Sequence, residues 1–434
     1  MKPVLFVTGH APADRLPAFA ALHEREEVCF ALFGGRPAHG PSTAEAQAVP
    51  AAFPTVAVSQ RQVGMLAASG RFRAVLCGTG GRLALPAAYA GARAARVPFV
   101  LWASLWAHPR TPAHALSYLP LGRVYRGADA VVTYGPHVSA YVRRRGAINV
   151  FEAPQAVDNA FWGAPADPSQ WPIQSDAKFV FVGRPVREKG LRVLFLAWRA
   201  SGLTASAAAL VLAGVGSTPP WVPAGGAVAP LQPDQAPAHD PLEHSAAAPA
   251  NGAAAPVPEP AVAPVPALAV APVPASRVAP PDEAIPPAPP GTHAVGVLPA
   301  EQLRNLYAAA DVLIVPSIAT RTFREPWGLV VNEAMNQRTA IVASDAVGAA
   351  AGGLVRHGRN GLVVPADDPA ALADALRRLA GDAPLRERLA AAAQRDVQAF
   401  TPQAWAAGMS AALRSVGASR EPRPLAGAPG ALVA

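Results

Sequence analysis

Two carboxylates and two cations carry the chemistry legible in this sequence. Glu325 and Glu333 stand eight residues apart in 324–335 (REPWGLVVNEAM), which reads as a loop entering a helix near Trp327. Arg184 and Lys189 stand five apart in 179–191 (FVFVGRPVREKGL), where a strand ends at Gly183 and a helix starts near Lys189. A departing diphosphate gathers negative charge and needs fixed positive groups. A guanidinium offers it planar paired contacts, and an ammonium a compact charge. A carboxylate accepts paired hydrogen bonds from vicinal hydroxyls, as on a sugar. The free N–H groups of a helix start suit a phosphate, and Gly328 lets the backbone come close. The plainer reading is surface charge on helix starts. It is weaker for Glu333, which lies among Val330, Val331, Ala334 and Met335.

Further candidates close other strands. Gly9 and His10 follow an apolar run at 3–8, where small residues let a ligand approach. His108, in 101–110 (LWASLWAHPR), could meet a donor sugar or an acceptor, although a lone histidine is more often structural. Residues 78–81 (GTGG) could line an acceptor cleft. The glycine-rich 345–354 could wrap a ligand or serve as a helix-packing turn.

The elements that must position these groups follow a strand–helix alternation. Strand-like runs at 3–8, 28–34, 74–78, 98–103 and 130–134 are mostly continuously apolar, as in a parallel sheet covered on both faces. Helical patterns cover 82–96 and 136–145. After turn formers at 151–168 the alternation restarts, with strands at 178–182, 208–213, 294–297, 311–316, 340–344 and 362–364. Helices are expected at 188–200, 299–309, 369–379, 384–400 and 402–416. The expectation is α/β: a first Rossmann-like domain at 1–165 and a second at 166–400. Residues 217–290 hold 21 of the 49 prolines and read as a disordered insertion, and 417–434 as a frayed tail.

The bulk numbers bound the function. With 434 residues, two domains are the prior. Net charge is +8 and nearly all the excess is arginine, which suits phosphates or an anionic surface, or spreads without purpose. No nucleic-acid module is visible. Cys29 and Cys77 read as core residues, not a disulfide or metal site. With no signal peptide and no long apolar span, the chain is expected to be cytoplasmic. Peripheral contact with the inner face of a membrane is left open.

Residues 181–190 (FVGRPVREKG), 306–317 (LYAAADVLIVPS), 325–335 and 347–365, in that order, resemble the retaining nucleotide-sugar glycosyltransferases of family 4. The resemblance implies a GT-B fold, with two facing Rossmann-like domains and a C-terminal helix, 401–416, returning to the first. It implies that Arg184 and Lys189, beside Gly183, bind the diphosphate of a UDP- or GDP-sugar. Glu325 would contact the transferred sugar, Glu333 the ribose, and backbone groups at Trp327, Gly328 and Leu329 the sugar and phosphates. No cofactor or metal is implied. The acceptor, a glycan, a lipid-linked or a small molecule, would meet the first domain, in envelope polysaccharide or glycoconjugate synthesis. The chain departs from the pattern at 336–340 and in the first loop, Thr8-Gly9-His10. An epimerase or hydrolase on the same fold, or a non-catalytic scaffold, are the rival readings.

Overall fold

The computed structural model describes residues 1–34, 53–171, 173–215 and 285–420. The first half builds a parallel sheet from β1 (Val4–Thr8), β2 (Val28–Leu32), β3 (Thr55–Ala57), β4 (Ala74–Gly78), β5 (Phe99–Ala103), β6 (Ala130–Thr133) and β7 (Val150–Glu152). Its order is β3-β2-β1-β4-β5-β6-β7. Around it lie α1 (Leu16–Glu26), α2 (Val63–Ala68), α3 (Ala84–Ala95), α4 (Pro112–Gly127) and α5 (Pro136–Arg144). A short helix, α6 (Asn159–Trp162), follows, started by the Asp158 carboxylate accepting from the Ala160 and Phe161 amides.

The second sheet comprises β8 (Ala177–Val182), β9 (Ala208–Ala213), β10 (Thr292–Gly296), β11 (Val312–Val315), β12 (Ala340–Ser344) and β13 (Gly361–Val364), in the order β10-β9-β8-β11-β12-β13. Its helices are α7 (Leu191–Ser201), α8 (Ala300–Ala309), α9 (Val330–Asn336), α10 (Gly348–Ala351), α11 (Pro369–Gly381), α12 (Ala383–Val397) and α13 (Pro402–Ser415). Successive side chains of a strand face opposite layers. Phe179 and Phe181 therefore enter one core layer with Leu210, Leu212 and Ile314, while Val180 enters the other with Val211 and Leu313. The molecule is two Rossmann-like layers joined by α13, the GT-B arrangement.

Helix α13 leaves the second domain and packs on α1, β6 and β7. Thr401 caps it and Pro402 occupies its first turn. Trp405 is buried between Phe19 and Trp102, with ring centroids at 5.9 and 5.6 Å. At Gly408 a Cβ would lie 2.4 Å from the Glu152 carbonyl, so only glycine lets the helix come this close.

Several boundaries differ from the sequence-based expectation. Helices α1, α2, α4, α6 and α10 and strand β3 are additions; Pro120 inside α4 breaks the helical signal there. Helix α9 begins at Val330, not near Trp327, because Gly328 takes φ +94°, and Glu333 falls in its first turn rather than its second. Most of the proline-rich insertion lies outside the described residues, but its end does not. Ile285 and Ala288 pack on the second core, and Arg199 donates to the Pro287 carbonyl. The tail at 417–420 is also anchored. Glu26 is fully buried and needs donors, which Arg73, the Ser419 hydroxyl and the Arg420 amide supply.

Candidate functional site

In a doubly wound sheet, ligands bind outside the carboxyl ends of the strands where the order reverses. In the second sheet that point lies between β8 and β11. The loop after β8 carries Gly183, Arg184 and Lys189, and the loop after β11 carries Ser317 and Glu325. The two loops touch. At Gly190, φ +74°, a Cβ would lie 1.9 Å from the Pro316 carbonyl, and the Ile318 amide donates to the Glu188 carbonyl at 3.0 Å.

This approach brings Lys189 onto Glu325. Its Nζ lies 2.5 Å from Glu325 Oε2, which also accepts from the Ser317 hydroxyl at 3.3 Å. Glu325 is 4 % exposed, and the Lys189 side chain keeps 22 %. The cation assigned to the diphosphate and the acid assigned to the sugar thus form one cluster. Arg184 is half-buried, and among the described residues no carboxylate pairs with it. Gly183 closes β8 with its amide on the Ala213 carbonyl. The Gly214 position, at φ +81°, would place a Cβ 2.7 Å from the Gly183 carbonyl, so two glycines floor the loop.

Glu333 sits deeper, its Oε2 accepting from the Tyr307 hydroxyl at 2.9 Å. Burial pushes its carboxyl up to about 7. The Tyr307 bond pulls it down, and the charge of Asp14, from the loop after β1, adds to the rise. Burial, with the Glu333 charge adding to it, raises the Tyr307 phenol well above its ordinary range. Gly9, in the same loop as Asp14, accepts from the Gly34 amide at 3.0 Å.

The Trp327 side chain is core, 2 % exposed, with its indole N–H on Asn332 Oδ1 at 2.8 Å and its ring near Phe400. Its carbonyl accepts from the Ala349 amide. Leu329 caps α9 and is half-buried. Of the two readings of 345–354, Gly348 and Gly352 follow the packing one. A Cβ at Gly348 would lie 1.9 Å from the Pro326 carbonyl, and one at Gly352 2.6 Å from the Trp327 ring. His108 faces α4: its Nε2 meets the His114 carbonyl at 2.7 Å and its ring the edge of Tyr118. Among the described residues, no contact joins it to Glu325 or Lys189.

Sequence reasoning assigned no role to His137, Tyr307, Ser317 or Asn332. Tyr307 and Ser317 stand at element ends within the motif stretches, which is the one signal they carry. His137 follows Gly135-Pro136, which marks only a helix start. It reaches across to the second domain, its Nε2 3.2 Å from the Pro326 carbonyl. Trp106, read only as a neighbour of His108, donates its indole N–H to the Glu325 carbonyl at 3.1 Å. Among the described residues no three metal-binding side chains gather, and no helix is long and apolar enough to cross a membrane.

Residues 289–396 match the family described as Glycosyl transferases group 1. The chain is similar to a D-inositol 3-phosphate glycosyltransferase of Nocardioides sp., 42 % identical over 104 residues, 23 % of this chain. That match spans only 20 % of the relative's own length. Among solved structures, HepE of Anabaena in complex with UDP and glucose superposes with a TM-score of 0.63 at 15 % identity, covering 95 % of this chain and 99 % of that one. The sucrose-phosphate synthase of Thermosynechococcus elongatus does so at 0.63 and 17 %, covering 96 % and 100 %. The solved structures carry the fold, and residues 289–396 are similar to the Glycosyl transferases group 1 family.

Proposed function

We propose that this chain transfers a hexosyl group from a UDP- or GDP-sugar to an acceptor, with retained anomeric configuration and without a metal. The observation that carries the reading is the Lys189–Glu325–Ser317 cluster at the switch point of the second sheet, with Arg184 beside it. Arg184 and Lys189 take the diphosphate as charge builds on it, Glu325 grips the sugar, and Glu333 accepts from the ribose hydroxyls. The group 1 match over residues 289–396, which hold Ser317, Glu325 and Glu333, and the UDP and glucose bound to HepE support it.

A thermal-shift screen over nucleotide sugars tests it first, since a ligand of the native state raises stability by mass action. With the donor found, Arg184→Ala should slow transfer roughly 100- to 1000-fold, as for loss of one preorganised charge-stabilising group. Transfer should persist in chelator. A panel in which no nucleotide sugar stabilises the protein would sink the reading. Rapid donor hydrolysis or epimerisation without acceptor would favour the rival enzyme.

For the acceptor we favour a lipid-borne one, presented to the first domain at the cytoplasmic face of a membrane, as in envelope polysaccharide synthesis. Residues 114–120 of α4 are all exposed, with Leu116 at 83 % and Leu119 at 73 %, and Arg123 continues the same face. Residues 53–128 hold nine arginines and no acid. Arg145 is not free for lipid: it is buried under α4, its guanidinium 3.4 Å from the Tyr118 ring, while Arg143 and Arg144 reach solvent. An apolar stripe flanked by arginines suits an anionic bilayer. Vesicles of phosphatidylglycerol should bind the protein and vesicles of phosphatidylcholine should not, and Leu116→Ser with Leu119→Ser should abolish binding.

A further inference from the structure

Four contacts from the first domain land on the loop that carries Glu325. The Arg110 amide donates to the Arg321 carbonyl at 2.6 Å. The Arg324 guanidinium lies 4.2 Å from the centre of the Trp106 ring. The Trp106 indole N–H and His137 Nε2 then take two consecutive carbonyls, those of Glu325 and Pro326. The rings of Trp106 and His137 meet edge to face at 4.8 Å. A Cβ at Gly352 would lie 3.1 Å from His137 Cε1, so the second domain is closed against this pair.

The protonation of His137 follows from its surroundings. A carbonyl oxygen only accepts, so Nε2 carries the proton and donates. Among the described residues Nδ1 is buried with no partner, which a second proton could not tolerate. Burial holds the imidazole down to about 4, with the Arg324 charge adding to that and the Pro326 bond opposing it, so it is a fixed neutral donor at neutral pH. The Glu325 carbonyl is also shared with the Gly348 amide at 3.1 Å. Backbone and carboxylate of Glu325 are thus held from different sides, the carboxylate by the second domain and the carbonyl by both.

The geometry points to Trp106 and His137 as positioning residues of the first domain: they hold the Glu325–Pro326 backbone, so that the Glu325 carboxylate is set on the donor sugar only when the two domains meet. This assignment rests on the proposed donor role of Glu325. Linkage then requires that a ligand gripping that carboxylate favours the closed arrangement, and that loss of the first-domain bonds weakens the ligand. A nucleotide without its sugar meets Lys189 but not the Glu325 carboxylate itself, and should feel the loss far less.

Calorimetry with UDP and UDP-glucose, and with GDP and GDP-mannose, tests this on the wild type, Trp106→Phe, His137→Phe and His137→Gln. Trp106→Phe keeps a ring for Arg324 and removes only the donor. It and His137→Phe should weaken the nucleotide sugar about tenfold and the bare diphosphate far less. His137→Gln, whose amide can still donate to the carbonyl, should restore most of the loss. Equal weakening of both ligands, or no change in either, would overturn the assignment. If the wild type binds none of these, the proposed function fails, and hydrogen exchange decides the positioning role by itself. The Gly348 and Ala349 amides should then exchange about tenfold faster in Trp106→Phe, and unchanged protection would refute it.

Discussion

At the scale of single residues, the ion pair of Lys189 and Glu325 changes what substitution there means. Removing one member strands a buried charge, which typically costs 3–5 kcal/mol. Lys189→Ala should therefore lower stability by about 3 kcal/mol in urea denaturation as well as slowing transfer, and Lys189→Met with Glu325→Gln should recover most of the stability but none of the rate. Two other buried groups oppose one another in pH. Glu333, pushed up to about 7, keeps a proton that the unfolded chain loses near 4.5, so it makes stability fall as pH rises between those values. His137, held down to about 4, lacks a proton that the unfolded chain binds below 6.5, so it makes stability rise with pH across that window. The slopes offset in the wild type. Melting temperatures from pH 4.5 to 6.5 should climb with pH in Glu333→Gln and decline in His137→Gln; parallel profiles would contradict the burial of either group.

At the scale of elements, the site exists because two loops approach to backbone contact, and glycine sets that distance. Gly190 and Gly202 share a left-handed backbone, φ +74° and +66°, but only Gly190 has a neighbour where a Cβ would go. Gly202→Ala should cost about 1 kcal/mol, the strain of that conformation for a side chain. Gly190→Ala should cost clearly more and separate Lys189 from Glu325. Chemical denaturation of the two variants isolates the loop approach, and equal losses would dismiss it. The strands around these loops were legible from continuous apolar runs, and β9 and β12 keep their expected limits. Helix α4 was not legible, because Pro120 and an exposed first half hide its period. The start of α9 was displaced because only the fold shows Gly328 in its left-handed conformation.

At the scale of the whole molecule, the first domain is bound to the second through α13 and through the loop of Glu325. Trp405 anchors α13 on Phe19 and Trp102, and losing a buried tryptophan typically costs 3–5 kcal/mol. Trp405→Ala should lose that much in urea denaturation, with the first domain opening earliest in hydrogen exchange. An unchanged midpoint would mean that α13 carries little of the junction.

By itself the sequence determined the alternation of strands and helices, the strand ends that precede Arg184, Lys189, Glu325 and Glu333, and the order of the motifs. These follow from local apolar periodicity and from residue types a few positions apart. Only the tertiary structure decided that Lys189 pairs with Glu325, that Tyr307 and Asp14 act on Glu333, and that Trp106 and His137 hold the backbone beside it. Those pairs lie 26 to 319 residues apart along the chain, and no local pattern encodes a contact made by strand order and by the way two domains close on one another.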